Sequence, residues 1–523
     1  MSVIKINGRA LTVSAGMTVL DAARSLGIEI PTLCHLSGAK HFSSCMVCMV
    51  KDKLTGRLLP ACSAPAEDGM VVETEGEEIQ HARKSALDLL LSEHVGDCEA
   101  PCRLTCPAHI NIPLMIRQIA GGQFVAALKT VRLAIALPGV LGRICQAPCE
   151  KACRRSRFDA AVSICLLKRF CADHDAGSQM PLVQEKKPAT GKKVAIVGAG
   201  PAGLSAAFYL VQDGHACVVF DDRAEPGGQL RYGVPERLLP VTALDYDVEV
   251  IRQHGVVFRM QTAIGRDITM AQLKKEYDAI VFATGRFDPE MAAEFGLDAD
   301  AKGVKVDSHT HRTSDPQIFA GGAVVQAGHQ AVRASGHGKT MAVSVGQYLE
   351  GRSVTGPVRP FNSRMGKLLD GEIEEFMKES GAVAAVAPAD KAGVGFSVED
   401  VLKESMRCMH CDCRKADGCK LRDLAGIYAA SQKHFNIEGR RPFFKDVTHA
   451  AVVFEPGKCI KCGICVRITE RSGEQYGMTF MGRGFDSFVG VPFNQPLKAG
   501  LRKAYAECVE QCPTGALAFK QDA

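Results

Sequence analysis

The chain has 523 residues, 46% hydrophobic and 23% charged, with a net charge of +5. This length supports several domains with their own cores, the composition is that of ordinary soluble globular protein, and the charge bias is too small to argue for nucleic acid. No secretion signal is expected from the N-terminus, which reads as strand and turn. No membrane span is expected either, because the most apolar stretch, 124–140, is broken by Lys129, Arg132 and Pro138; the expected location is the cytoplasm.

Cysteine is the outlier, with 22 residues bunched in short C-x2-C and C-x3-C runs. Such runs surround one centre and suit bridges to distant cysteines poorly, so metal is the better reading than disulfides.

Residues 4–6 and 11–13 alternate around Asn7-Gly8, the pattern of a hairpin with a two-residue turn. Thr18 is placed to cap a helix over 19–26 that Gly27 ends. Cys34, Cys45, Cys48 and Cys62 follow at spacing C-x10-C-x2-C-x13-C. Four thiolates in one small β-rich unit suit a [2Fe–2S] cluster. Zinc, the alternative, usually shows two close pairs where only one is present here. Hairpin, helix and cysteine loop in this order resemble the plant-type ferredoxin fold. The long spacing is similar to the version at the N-terminus of the large iron–sulfur subunit of complex I and of iron-only hydrogenases. A domain over 1–75 is expected.

Residues 77–93 read as a helix that delivers His94-x3-Cys98-x3-Cys102-x3-Cys106-Pro107. Gly142-Arg-Ile-Cys145-x3-Cys149-x3-Cys153 comes later. The two runs resemble the helical N-terminal domain of the glutamate synthase small subunit, found also in dihydropyrimidine dehydrogenase and in the large subunit of the bifurcating ferredoxin–NADP transhydrogenase. The resemblance implies two [4Fe–4S] clusters in a domain over 76–184, one on Cys98, Cys102 and Cys153, the other on Cys106, Cys145 and Cys149. Both fourth ligands depart from the family. His94 stands about where a first cysteine is expected: imidazole can ligate iron, or the ring is simply favoured near a helix C-terminus. Lys168 stands near the family's Gln or Glu ligand, and a protonated lysine has no lone pair. Cys165, one turn earlier, is the candidate replacement, with Cys165 and Cys171 as buried apolar cysteines the alternative.

A polar linker over 185–191 leads to a domain over 192–350. Lys193-Val-Ala-Ile-Val runs into Gly198-x-Gly200-x-x-Gly203, with Pro201 and Ala202 inside the loop and a helical pattern after it. Strand, tight turn and helix in this order form a dinucleotide cradle. Gly198 turns, Gly200 admits the pyrophosphate and Gly203 lets the helix approach the strand, whose N-terminus favours the phosphates. Asp221 ends the next buried strand at the spacing for a ribose hydroxyl. Then come 226–235 with Gly228, Gln229 and Arg231, 277–285 ending Ala283-Thr284-Gly285, and 317–322 ending Gly321-Gly322. The four elements in this order resemble the FAD domain of the glutamate synthase small-subunit family.

That family inserts a second, NAD(P)H-binding domain between the Ala-Thr-Gly strand and the Gly-Gly segment. Here only 286–320 lies between them, without a GxGxxG. One βαβ unit takes about 30 residues and a nucleotide domain about 100, so the NAD(P)H domain is expected to be missing. Ala323 also replaces the Asp that usually follows Gly-Gly.

Residues 351–397 read as linker with a short charged helix over 370–379 and an Ala, Gly and Pro-rich stretch over 383–395. A helix over 398–406 leads to Cys408-x2-Cys411-x-Cys413-x5-Cys419 within 398–425, a [4Fe–4S] candidate with zinc the open alternative. In 426–523, Cys459-x2-Cys462-x2-Cys465 with a distant Cys512-Pro is a bacterial ferredoxin signature. Thr469 occupies the place of a second cluster's cysteine, so one [4Fe–4S] is expected and Cys508 is a bystander. The run after Cys465 resembles complex I's large iron–sulfur subunit.

The expected fold class is a multidomain α/β and α+β chain: β-grasp ferredoxin, helical bis-[4Fe–4S], Rossmann-like FAD and bacterial ferredoxin-like domains. The expected cofactors are FAD, one [2Fe–2S] and about four [4Fe–4S] clusters. The expected function is that of an electron-transferring subunit of a cytoplasmic multisubunit oxidoreductase, with no catalytic residue of its own. By resemblance, its partners would be a complex I-like NADH-binding flavoprotein, a formate dehydrogenase or hydrogenase type subunit, and ferredoxin; bifurcation at the FAD is a fold-level analogy. The alternative functions are a stand-alone NAD(P)H:acceptor reductase, a glutamate synthase small subunit-like reductase, or a zinc-filled scaffold.

Overall fold

The computed structural model describes residues 2–38, 42–178, 182–285, 289–328, 330–381, 383–387, 395–435 and 439–520. Most of the linker expected over 383–395, residues 388–394, lies outside the described residues. The chain divides into two units. One comprises Met1–Ala100, Pro360–Glu379 and His410–Ala523, the other Pro101–Arg359 and Ser380–Met409.

The first unit begins with β1 (Ser2–Ile6) and β2 (Arg9–Val13), paired antiparallel across Asn7 and Gly8, both at positive φ. Helix α1 (Val19–Ser25) starts in a full capping box between Thr18 and Asp21 and buries Val19, Leu20, Ala22 and Ala23. With β3 (Met49–Asp52), β4 (Leu58–Pro60) and β5 (Val71–Glu73) the strands make a sheet of order β2-β1-β5-β3-β4, in which β1 and β5 are parallel. Alternation places Ile4, Ile6, Val50 and Val72 in one core.

Helix α2 (Glu77–Ser92) packs within this unit. The reason is Arg83. Its buried guanidinium donates to the carbonyls of Met49 and Thr74 and to the Tyr428 hydroxyl, while Leu87 and Leu91 enter a core with Leu421 and Ile464. The C-terminal part pairs the strands Val452–Phe454 and Leu517–Phe519 antiparallel, with helices Ile464–Arg471 and Tyr505–Gln511 between them.

The second unit opens with six helices: α3 (Pro101–Thr105), α4 (Ile112–Ala120), α5 (Phe124–Arg132), α6 (Pro138–Ile144), α7 (Pro148–Lys151) and α8 (Ile164–Ala176). A parallel sheet follows. Its strands are β6 (Lys193–Val197), β7 (Ala216–Phe220), β8 (Val257–Arg259), β9 (Ala279–Phe282) and, after the two-residue hairpin β10 (Ala299–Asp300) and β11 (Gly303–Val304), β12 (Ile318–Ala320). The order is β12-β9-β6-β7-β8. Helix α9 (Pro201–Gln212) leaves the glycine loop, α10 (Gln229–Tyr232) follows the Gly-Gly-Gln turn, and α11 (Val241–Gln253), α12 (Met270–Glu276), α13 (Pro289–Glu294) and α14 (Ala331–Leu349) complete the unit. Among the described residues between Gly285 and Ile318, the hairpin and α13 are the regular elements, and they form no second nucleotide fold.

Within this unit the helices are tied to the sheet by Asp247 of α11. Its buried carboxylate accepts from the N–H groups of Gly139 and Val140 at the start of α6, at 3.4 and 2.9 Å. Burial pushes this carboxyl up to about 7. A second tie joins the buried Arg132, Asp175 and the Tyr246 hydroxyl. Asp247→Ala leaves two buried N–H groups unpaired, so it should destabilise the protein by roughly 2–4 kcal/mol. A drop in the thermal midpoint and in the denaturant midpoint is the measurement.

Candidate functional site

The dinucleotide cradle is shaped by what its glycines touch. Gly198 has φ +107°, and a Cβ there would lie 2.3 Å from the carbonyl oxygen of Ala283. A Cβ at Gly203 would fall 1.9 Å from the carbonyl oxygen of Gly198. A Cβ at Gly200 would meet nothing within 4 Å, so this residue faces open space at the N-terminus of α9. The unclaimed N–H groups there, with a helix of twelve residues behind them, favour a phosphate.

Asp221 accepts from Ala199 N–H at 2.7 Å and from Arg223 N–H at 2.9 Å, so the carboxylate expected at a ribose also holds the glycine loop. Burial raises its pKa against those two bonds. Gly228 packs on Gly200, and Arg231 donates to Pro226 O and pairs with Asp245. Pro201 and Ala202 begin α9, and Gln229 begins α10. Ala283, Thr284 and Gly285 leave β9 at the same end of the sheet, where Gly321 donates to Phe282 O.

Two histidines that the sequence reading missed stand here. Gly322 donates to His337 Nδ1 at 3.2 Å, and the His337 ring lies 4.4 Å from that of His311. Burial, then the neighbouring His311 and Arg333, push His337 down to about 4, so it is neutral at pH 7. No spacing rule links a histidine before β12 to one on α14; only the fold joins them.

The cysteines fall into groups. In the first unit Cys34 lies beside Cys45 and Cys62, and Cys48 beside Cys62, and these neighbours push the Cys34 thiol down. All four are buried. Cys459, Cys462, Cys465 and Cys512 line one cavity with Ile460, Gly463 and Thr514. Cys508 lies behind it, its thiol toward the carbonyl oxygen of Cys465 at 3.9 Å. Thr469 is buried and donates to Cys465 O. Cys34 and Cys45 share a core with Cys462.

A third group in this unit departs from the sequence reading. Cys413 N–H donates to Cys98 O at 3.2 Å, and Cys98 and Cys413 are electrostatic neighbours of Cys419. Beside them is Lys458, 3% exposed, paired with Glu455 and facing Cys413. His94 is near the same ammonium: burial, then Lys458, push it down to about 4, and its buried Nδ1 has no hydrogen-bond partner. His94 and Cys98 therefore fold with Cys413 and Cys419, while Cys102 and Cys153, their expected co-ligands, belong to the other unit. The run Cys408 to Cys419 is itself divided. Cys408 packs on the helical core of the second unit, together with Cys102 and Cys153, while Cys411, Cys413 and Cys419 fall in the first. The physical reason is the course of the backbone, which leaves the second unit between Met409 and His410.

In the second unit Cys165 is within hydrogen-bonding reach of Cys145 and Cys149. Lys168 is an electrostatic neighbour of Cys165, Cys145, Cys149 and Cys106. Burial alone would lower the lysine's pKa, but these four thiols reverse that and raise it. Cys171 sits in the apolar core, where burial pushes its thiol up to about 12.

Three family profiles match the chain: a 2Fe-2S iron-sulfur cluster binding domain over 3–77, the dihydropyrimidine dehydrogenase domain II, 4Fe-4S cluster, over 78–180, and an NAD(P)-binding Rossmann-like domain over 196–261. Among relatives, the NADPH-Fe(3+) oxidoreductase subunit beta of Geobacter sulfurreducens is 38% identical over 208 residues, 39% of this chain and 30% of that one. The NADP(+)-dependent formate dehydrogenase subunit beta of Moorella thermoacetica is 41% identical over 207 residues, 36% and 29% of the two chains. The glutamate synthase [NADPH] small chain of Bacillus subtilis (strain 168) is 38% identical over 182 residues, 34% and 36%. The chain thus spans about a third of the length of these relatives. It carries iron–sulfur and Rossmann-like domains of the kinds found in flavin and iron–sulfur oxidoreductase subunits. Among the described residues no helix is long and apolar enough to cross a membrane.

The glycine geometry separates fold from binding. Gly200→Val should keep the stability of the wild type and lose bound flavin, because the side chain enters the open cradle. Gly203→Ala should lose stability instead, because its Cβ meets backbone. Flavin absorbance per protein and thermal midpoint, measured on both variants, check the pair.

Proposed function

We propose that the chain is an electron-transferring flavin and iron–sulfur subunit of a cytoplasmic multisubunit oxidoreductase. In this reading it relays electrons between a subunit that oxidises NAD(P)H, hydrogen or formate and a ferredoxin or another acceptor. The observation that carries the reading is the presence of 20 candidate ligands, His94 and 19 cysteines, on both sides in sequence of a dinucleotide cradle that is followed, among the described residues, by no second nucleotide fold. FAD takes electrons in pairs and releases them singly, and clusters carry one each. The relatives named above are subunits of oxidoreductases, which supports the same role here. Bifurcation at the FAD rests on analogy alone.

The cofactor content proposed is FAD, one [2Fe–2S] and four [4Fe–4S] clusters. Cys34, Cys45, Cys48 and Cys62 would hold the [2Fe–2S]. Cys459, Cys462, Cys465 and Cys512 would hold one [4Fe–4S] in a bacterial ferredoxin-like domain, and His94, Cys98, Cys413 and Cys419 another. In the helical bis-[4Fe–4S] domain, Cys106, Cys145, Cys149 and Cys165 would hold the third, and Cys102, Cys153 and Cys408 would contribute to the fourth; Cys411 falls in the first unit. Neutral imidazole and thiolate are both iron ligands, and Nδ1 of His94, without a hydrogen-bond partner among the described residues, could offer its lone pair in the tautomer protonated at Nε2. Among the described residues, no three of these side chains meet as closely as ligands of a single ion do, so the proposal rests on the grouping.

Cys34, Cys45 and Cys462 share one core, and Gly515, three residues after Cys512, lies against Cys413 Sγ. Three candidate sites of the first unit are therefore neighbours, as a relay requires. In the second unit a Cβ on Gly336 of α14 would lie 2.7 Å from the carbonyl oxygen of Pro107, next to Cys106, while Gly338 of the same helix packs on Ala202 of the cradle.

Anaerobically purified chain should contain flavin, with iron and sulfide in the amounts of those five clusters, and NADPH or NADH should reduce its flavin slowly or not at all. Rapid flavin reduction by either nucleotide would return the stand-alone reductase, and zinc without flavin would return the scaffold. The ligand grouping has its own check. Cys98→Ser and Cys413→Ser should remove or alter the same paramagnetic signal of the reduced protein, and Cys408→Ser a different one. A common signal for Cys408 and Cys413 would restore the single four-cysteine motif.

A further inference from the structure

The second unit contains a buried cation whose surroundings are thiols. Lys168 is on α8, one turn after Cys165, and is 4% exposed. Its ammonium makes one hydrogen bond among the described residues, to Cys165 Sγ at 4.0 Å. The groups that act on it are Cys165, Cys145, Cys149 and Cys106. Glu150 is the nearby carboxylate, but it accepts from Cys165 N–H and forms no ion pair with the lysine. Arg169, the next residue, turns instead to Asp173, at 3.0 Å.

An ammonium in such a place is expensive unless an anion faces it. Four cysteine side chains from α6–α7, α8 and the loop after α3 supply that anion when they are thiolates on iron. A lysine packed here as plain core would face apolar groups, and one acting as a ligand would have to lose its proton first. Neither description fits the four sulfurs around it.

We infer that Lys168 is the fixed counter-charge of the cluster held by Cys106, Cys145, Cys149 and Cys165, and that it raises the reduction potential of that cluster. The inference rests on the cluster reading given above. One-electron reduction adds one negative charge to the centre and changes no bond. A positive charge a few ångströms away favours the charged product, and burial removes the solvent screening that would weaken it. Lys168 is a positioning residue for charge, and its effect belongs to one cluster only.

The test uses the full chain, purified anaerobically and titrated with dithionite while the paramagnetic signals are followed. Cys149→Ser first assigns the signal of this cluster. Lys168→Met should then keep the iron content and move the midpoint of that signal to lower potential, with the other clusters unmoved, and Lys168→Arg should stay near the wild type. If Lys168→Met fails to hold iron, Lys168→Leu repeats the comparison. Iron lost from both but kept in Lys168→Arg equally supports a required charge. An unchanged midpoint in Lys168→Met, or the same shift in Lys168→Arg, overturns the inference while the cluster stands. If Cys149→Ser leaves every signal intact, the cluster reading itself falls and the inference with it.

Discussion

Backbone approach without side chains is the constraint on which the second unit depends. Helix α14 crosses α9 so closely that a Cβ on Gly338 would lie 2.3 Å from the carbonyl oxygen of Ala202. Two residues earlier on the same helix, Gly336 lies against Pro107. In the helical part, a Cβ on Gly142 would lie 2.7 Å from the Cα of Arg169, which brings α6, and so Cys145, onto α8, the helix of Cys165 and Lys168. Each contact replaces a side chain by backbone, and each does so beside a candidate redox site. Glycine is entropically unfavourable inside a helix, by roughly 0.5–1 kcal/mol against alanine. Its use at these positions is consistent with a fold in which short distances between centres matter more than helix propensity.

Charge is the second organising term. Two of the buried lysines, Lys168 and Lys458, lie beside groups of cysteines, but they are not equivalent. Lys458 has Glu455 as an ion-pair partner, so its site is close to neutral without any cofactor. Lys168 has no such partner at bonding distance among the described residues; Glu150 lies within its field, and the groups that raise its pKa are the sulfurs. The same contrast runs through the structural ion pairs. Arg407 and Glu404, both fully buried, neutralise each other and serve packing. A buried cation whose hydrogen bond goes to a thiol points to chemistry.

Much of the fold was legible in the sequence because local rules governed it. Alternation and Asn7-Gly8 gave the first hairpin, the Thr18 capping box gave α1, and apolar runs ending in Gly198 or Gly285 gave β6 and β9. The cavity of Cys459, Cys462, Cys465 and Cys512 was legible for the same reason, since three of its ligands are close in sequence. Spacing was silent where contact was made by distant side chains. Nothing near Arg83 in sequence says that it will hold Met49, Thr74 and Tyr428, and so the packing of α2 was not legible. His311 and His337 escaped for the same reason.

The run from Cys408 to Cys419 straddles a boundary between the two units. Four cysteines in twelve residues look like one site, because short loops usually close on one centre. Here the two units alternate along the chain, which passes between them at Ala100–Pro101, Arg359–Pro360, Glu379–Ser380 and Met409–His410. Cys98 precedes the first crossing and Cys413 follows the last, and the hydrogen bond from Cys413 N–H to Cys98 O joins the first and last segments of the first unit. Cysteines at such crossings are then sorted by the unit that receives them, and neighbours in sequence become members of different groups. Closing so long a loop is tolerable, because the entropy of closure grows only with the logarithm of its length and the second unit has a core of its own. Metal ligands at these crossings would bind the first and last segments of the first unit to each other, so that assembly of the centre and closure of the first unit become one event.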